Sequence, residues 1–134
     1  MIASTQILLI DDDRAWLDTL ADYLHDRGFE VSTAEGPVRG EDVLAQLDFL
    51  VAVIDYHMPG IDGGTVIRSL KSAAHGMDDP PLFYLYTSDP TVAKKHAELG
   101  FDGVFGNKGD QGALVRDVRA VFRMLQMRAM KKKA

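Results

Sequence analysis

Three stretches of the chain are apolar at nearly every position: QILLI (6–10), FLVAVI (49–54) and PLFYLY (81–86). A shorter one, GVF, follows at 103–105. Continuous apolar runs of this length suit strands covered on both faces, as in a parallel sheet. FEVSTA (29–34) alternates instead, with Phe29, Val31 and Thr33 against polar neighbours. Between these segments the apolar residues return at helical spacing. Leu17, Leu20, Ala21 and Leu24 form one stripe, stopped at Gly28, and Val43, Leu44 and Leu47 form a second behind Pro37, which suits a first helical turn. Val66, Ile67 and Leu70 follow the Gly63–Gly64 pair. Asp89 or Thr91 is placed to cap a short fourth helix with Val92, Ala93 and Ala97, ended by Gly100. Leu114, Val118, Val121, Phe122 and Leu125 stripe the closing helix. The pattern is β-α five times over. Right-handed crossovers favour a doubly wound α/β fold, a five-stranded parallel sheet in the flavodoxin-like order 2-1-3-4-5.

Size and charge narrow the reading without redirecting it. With 134 residues, 46% apolar and 26% charged, the chain reads as one domain over 1–127 and a basic tail, expected to be flexible, over 128–134. No apolar run approaches the length of a membrane span, and MIASTQILLI lacks the basic start of a signal peptide. The absence of cysteine removes disulfides, thiolate metal sites and thiol nucleophiles, and fits a cytoplasmic protein. A net charge of −5 argues against a nucleic-acid partner, because phosphate contacts need a concentrated basic face.

The informative residues stand at the strand ends. In open parallel sheets the functional crevice lies beyond the carboxyl ends of the strands. The first apolar strand runs into Asp11, Asp12 and Asp13, the third into Asp55, and the fourth into Thr87 and Ser88, while Lys108 follows the last. With the first and third strands adjacent, Asp11 or Asp12 comes within several ångströms of Asp55. Carboxylates so close repel and call for positive charge. An all-oxygen cluster suits a hard cation, Mg²⁺ or Mn²⁺, and Lys108 adds a second positive charge. Asp13 is better read as the cap of the following helix, and Asp62 with its glycines as turn chemistry. Taken singly, Thr87 and Lys108 are an ordinary strand-end hydroxyl and a solvated lysine; the conjunction of all these groups carries the signal.

LLIDDD, VAVIDYHMPGIDGG, LYTSD and the lysine of GNKG resemble the receiver domain of two-component response regulators over nearly the whole chain. Asp-x-x-Met-Pro-Gly-x-Asp-Gly at 55–63 is the most specific of these motifs. The resemblance implies that Asp55 is the phosphoacceptor, and that Asp11, Asp12, Asp55 and the main-chain carbonyl of His57 hold the metal. It implies that Thr87 binds the phosphoryl group and that Lys108 pairs with it. Phe105 would be the switch aromatic, and His57 and Asp89 would influence phosphoryl lifetime. The donor would be a sensor histidine kinase or a histidine phosphotransfer protein. Output would pass through the face made by the fourth helix (Lys94, Lys95, His96), the last strand and the fifth helix (Arg116, Arg119, Arg123). Such a module is a stand-alone switch, not an enzyme, beyond its own phosphorylation and dephosphorylation. The chemistry agrees: a carboxylate ionised at neutral pH attacks without a general base, and phosphoryl transfer chiefly needs positioning and neutralisation. The competing readings are a degenerate receiver that acts as an adaptor without phosphorylation, and an aspartate-nucleophile phosphohydrolase of the haloacid-dehalogenase kind.

Two departures from the family pattern stand out. Gly109 occupies the place where the family usually carries proline, which implies a more loosely placed lysine. The segment from Gly100 to Lys108 is one residue longer than the commonest spacing, which leaves Asn107 as an alternative residue to face the crevice.

Overall fold

The computed structural model describes residues 6–46, 49–55, 57–58 and 61–133. In chain order the strands are β1 (Gln6–Asp11), β2 (Glu30–Glu35), β3 (Val51–Asp55), β4 (His57–Met58), β5 (Ile61–Asp62), β6 (Leu82–Tyr86) and β7 (Gly103–Phe105). The helices are α1 (Arg14–His25), α2 (Pro37–Gln46), α3 (Gly63–Ala74), α4 (Pro90–Lys94), α5 (His96–Leu99) and α6 (Gln111–Lys133). Five strands form one sheet in the order β2-β1-β3-β6-β7, all pairs parallel. Leaving aside the two-residue strands β4 and β5, which pair antiparallel with each other, this is the order 2-1-3-4-5 expected from the sequence.

The apolar strands divide their side chains between two cores, as the alternation of a pleated strand dictates. Ile7 and Leu9 of β1, Val51 and Val53 of β3, and Tyr86 and Phe105 pack beneath α1 and α6 with Leu17, Leu20, Leu24, Leu114, Val118 and Phe122. Leu8, Ile10, Ala52, Ile54, Phe83 and Leu85 face the other way, onto Leu44, Val66, Ile67 and Leu70 of α2 and α3. Burial on both faces explains why these strands show no polar alternation, and it pins their register. Ile10 stands opposite Ile54, and Asp55 opposite Tyr86. Asp11 and Asp55 therefore come together at the carboxyl ends of two adjacent interior strands.

Helix ends follow the capping chemistry. Asp13 caps α1, its carboxylate accepting from the Trp16 N–H at 3.1 Å. Asp89, not Thr91, caps α4. The single fourth helix expected from the sequence is two short ones, α4 and α5, joined at Lys95. The last helix also differs from expectation: α6 continues through Lys133, so residues 128–133, read from the sequence as a tail, extend it. Met, Arg, Ala and Lys are all good helix formers, and nothing in that stretch breaks the turn.

Candidate functional site

The site is built from backbone that the core has already fixed. Asp11 ends β1 and Asp55 ends β3, and each is only 5% exposed. Asp12 follows directly and is exposed. Ligand oxygens of Asp11, Asp12 and Asp55 lie within 4.8 Å of one another. Lys108 reaches over them from the loop after β7, its ammonium 2.6 Å from Asp55 Oδ1 and 3.8 Å from Asp11 Oδ2. Of the two residues open to that role in the sequence, Lys108 is the one that faces the acids. Asn107 instead takes a positive φ of 54°, and a turn closes behind it with the Asp110 N–H donating to the Asn107 carbonyl at 2.9 Å.

Electrostatics mark Asp11 as the group that lacks compensation. Its carboxyl is pushed up from 3.8 to about 6, first by burial and further by the Asp55 charge and by Asp12. The Asp13 N–H, which donates to Asp11 Oδ1 at 3.1 Å, and the Lys108 charge pull it back only in part. A hard divalent cation fits such a donor set: all ligands are oxygen, two of the three carboxylates are buried, and the Lys108 ammonium is divided between those two.

The remaining sequence candidates lie around this cluster. Thr87, 3% exposed, follows β6, and its Oγ1 accepts from the Asp89 N–H at 3.1 Å. Asp89 is occupied by its capping role, accepting from the Thr91 and Val92 N–H groups at 2.9 and 3.4 Å. Phe105 lies buried in the core, stacked on Tyr84 with ring centroids 4.4 Å apart, and as a phenylalanine it brings no hydroxyl into that core. His57 belongs to β4, and its side chain lies outside the described residues, as does that of Asp62. On α6 Arg116 is exposed, whereas Arg119 turns away from β7 toward α1. Arg119, itself exposed, donates to the Arg27 carbonyl at 3.3 Å and lies 5.8 Å from the centroid of the Phe29 ring.

Two contacts near Lys108 escaped the sequence reading, which named Ser88 only as a strand-end residue beside Thr87 and gave Tyr86 no role. Tyr86 is buried, and its hydroxyl accepts from the Gly109 N–H at 3.1 Å. Ser88 Oγ donates to the Lys108 carbonyl at 3.2 Å. A tyrosine closing the apolar strand LFYLY was the available signal, because a buried phenol needs a partner. The partner itself, some twenty residues on, has no signature. The peptide after Lys108 is thus held in place rather than loosened by Gly109.

A family model for the response regulator receiver domain matches residues 7–119. Response regulator MprA of Mycobacterium bovis is 36% identical over 96 residues, covering 72% of this chain and 40% of that protein. The chain thus spans less than half of the curated relatives it matches. Among solved structures, chemotaxis protein CheY4 of Vibrio cholerae superposes with a TM-score of 0.75 at 19% identity, over 89% of this chain and 99% of that one. Response regulator TrrA of Thermotoga maritima, solved in complex with Mg(2+)-BeF, gives 0.71 at 20% identity over 87% and 98%. No described helix is long and apolar enough to cross a membrane. From the strand-end acids to the sheet order and the family match, the chain belongs to the response regulator receiver domains of two-component systems.

Proposed function

We propose that this receiver is a phosphorylation switch in which Asp55 accepts a phosphoryl group from a phosphohistidine donor. The observation that carries the reading is the convergence on Asp55 of two further acids able to hold a cation and of the Lys108 ammonium at 2.6 Å. An Asp55 carboxylate oxygen attacks phosphorus, the P–N bond to the donor histidine breaks, and its electron pair stays on the imidazole. Asp55 is presented at the strand end, where an in-line donor can approach. Lys108 is within reach of the incoming equatorial oxygens and neutralises charge that gathers there. Thr87 supplies a hydroxyl donor once it turns from the Asp89 amide toward the new group. Mg²⁺ or Mn²⁺, held by Asp11, Asp12, Asp55 and the His57 carbonyl, supplies Lewis-acid neutralisation of the phosphoryl oxygens when bound. The Mg(2+)-BeF complex of the Thermotoga relative supports that assignment.

Phosphorylation replaces one negative charge by about −1.5 to −2 and adds strong acceptor oxygens. Thr87 and Phe105 report the change by shifting together. The Thr87 N–H donates to the Phe105 carbonyl at 3.2 Å, so the two are coupled through the backbone. The face over α4, α5, β7 and the exposed side of α6, with Lys94, Lys95 and Arg116, is the surface read by a protein partner. The donor is a sensor histidine kinase or a phosphotransfer protein, and the setting is cytoplasmic. His57 and Asp89 tune the lifetime of the adduct.

Incubation with acetyl phosphate and Mg²⁺, followed by intact mass measurement, tests the reading. The expected result is a labile gain of about 80 Da, one phosphoryl group, that is absent in Asp55→Asn. No adduct in the wild type would leave a phosphorylation-independent adaptor, and continuous turnover of acetyl phosphate far beyond one equivalent would point to a phosphohydrolase.

A further inference from the structure

The peptide unit joining Lys108 to Gly109 is held at both of its polar ends. Its carbonyl accepts from Ser88 Oγ at 3.2 Å and its N–H donates to Tyr86 Oη at 3.1 Å. The two hydroxyls come from the residues on either side of Thr87. Besides the turn that the Asp110 N–H closes on the Asn107 carbonyl, the loop is tied at its ends. Upstream, Phe105 pairs with Tyr86 in the sheet; downstream, Asp110 caps α6 through the Ala113 N–H at 3.0 Å.

The backbone at Gly109 has the left-handed φ of 103°. A Cβ there is strained whatever the space around it, and a proline is confined to a φ of about −65° and has no N–H to give. Glycine is the residue that lets this peptide turn its N–H toward Tyr86. The buried tyrosine has a matching requirement, since Tyr86 belongs to the apolar core beneath α1 and α6 and its phenol needs a polar partner. Burial also makes this the stronger of the two bonds, because Ser88 is exposed.

We propose that Tyr86 and Ser88 are positioning residues that hold the Lys108 backbone so that its ammonium rests against Asp55. The lysine side chain is long and flexible, so where its Cα is anchored decides whether Nζ reaches the acid. The functional meaning rests on Asp55 being the phosphoacceptor; the positioning itself does not. Because the anchors flank Thr87, a movement of Thr87 also moves the groups that grip Lys108, which links the two charge-sensing side chains through three consecutive residues.

Competitive trace acetylation of the full chain by acetic anhydride in metal-free buffer tests this. A lysine held against a carboxylate reacts slowly, and exposed Lys94 and Lys95 serve as internal references. In Tyr86→Phe with Ser88→Ala, acetylation of Lys108 relative to those references should rise about threefold to tenfold as its pairing weakens. Tyr86→Phe should account for most of the rise, and Tyr84→Phe, which removes a neighbouring hydroxyl, should leave the ratio unchanged. A general loss of structure would also free Lys108 relative to lysines that are already exposed, so the ratio is read only where far-ultraviolet circular dichroism matches the wild type. Tyr86→Phe keeps the buried ring and gives the readout by itself if the double variant unfolds. Equal Lys108 reactivity in wild type and in the Tyr86→Phe variant would overturn the proposal, whether or not Asp55 takes up a phosphoryl group. Failure of the wild type to react with acetyl phosphate would remove the acceptor reading and leave the lysine result standing.

Discussion

Lys108 and Asp55, 53 positions apart in the chain, meet with the ammonium 2.6 Å from the carboxylate. The same ammonium stands 3.8 Å from Asp11, so one cation is shared between two buried acids. A bound divalent cation and the lysine therefore do the same electrostatic work and repel each other. Lys108→Ala should lower the stability of the metal-free protein by about 1–2 kcal/mol, less than the loss of a fully buried pair because the lysine is partly in water. The same variant should bind Mg²⁺ about threefold to tenfold more tightly, since a competing positive charge is gone. Fluorescence of Trp16, the single tryptophan, during a Mg²⁺ titration measures the affinity. Weaker binding in the variant would show that Lys108 supports the cation site.

Asp11 gives the site a pH signature. Its carboxyl titrates near 6 in the folded chain against 3.8 for an ordinary aspartate, chiefly because it is buried. The folded state thus holds this proton more tightly than the unfolded one. Its contribution to stability is complete below 3.8 and is lost as pH rises through 6. Metal-free wild type should consequently lose less stability than Asp11→Asn on acidification from pH 7 to pH 5. At pH 7 Asp11→Asn should be the more stable by about 2 kcal/mol. Saturating Mg²⁺ should stabilise the wild type by about 2.7 kcal/mol at a hundredfold excess over its dissociation constant, and do little for the variant. Urea unfolding at pH 5, 6 and 7 with EDTA or Mg²⁺ checks all three statements. Parallel pH profiles for the two proteins would contradict the assignment.

The legible part of this molecule is the part dictated by local pattern. QILLI and FLVAVI announced buried parallel strands because both faces are covered, and an acid at the end of each such strand had to be either costly or useful. Asp13 and Asp89 as caps follow from their positions before helical stripes. The rest depends on pairings that no local pattern encodes. Gly109 in isolation signals freedom, and only the register that sets Tyr86 opposite Phe105 brings a phenol to its N–H. Arg119 sits on α6 at a spacing that suits the output face, and nothing in that spacing announces its contacts with the Arg27 carbonyl and the Phe29 ring. Residues 128–133 read as a tail because they lack an apolar stripe, whereas helix propensity carries α6 through Lys133.

Asp89 carries a second load besides any influence on adduct lifetime. It accepts from two N–H groups at the start of α4, a helix with no fully buried residue to hold it otherwise. Asp89→Ala should cost about 1 kcal/mol, the usual worth of an N-cap, whereas Asp89→Asn or Asp89→Ser should cost little. Because Asp89 also donates its N–H to Thr87 Oγ1, fraying of α4 should release that hydroxyl. Amide exchange at Thr91 and Val92 reports the fraying directly. Unchanged protection in Asp89→Ala would mean that the cap is not what orders this segment.

Gly103 decides where the aromatic residues beside Phe105 can lie. It stands opposite Tyr84 across the β6–β7 pair, and a Cβ added there would sit 2.6 Å from Tyr84 Cζ and nearer still to Cε2. The tyrosine ring lies across the bare glycine and stacks on Phe105 at 4.4 Å. Gly103→Ala must push the ring aside and break that stack, which should cost about 1–3 kcal/mol as an overpacked site. The remedy distinguishes this cause from a general dislike of alanine in a strand. Combined with Tyr84→Ala, which empties the space, Gly103→Ala should become nearly neutral, so the two changes should be strongly non-additive in a double-mutant cycle. Additive costs would place the strain elsewhere. If Phe105 moves when Asp55 is modified, Gly103→Ala should also alter its response, since the ring that brackets Phe105 has been displaced. The near-ultraviolet circular dichroism change on adding beryllofluoride and Mg²⁺, compared between wild type and Gly103→Ala, reads that coupling.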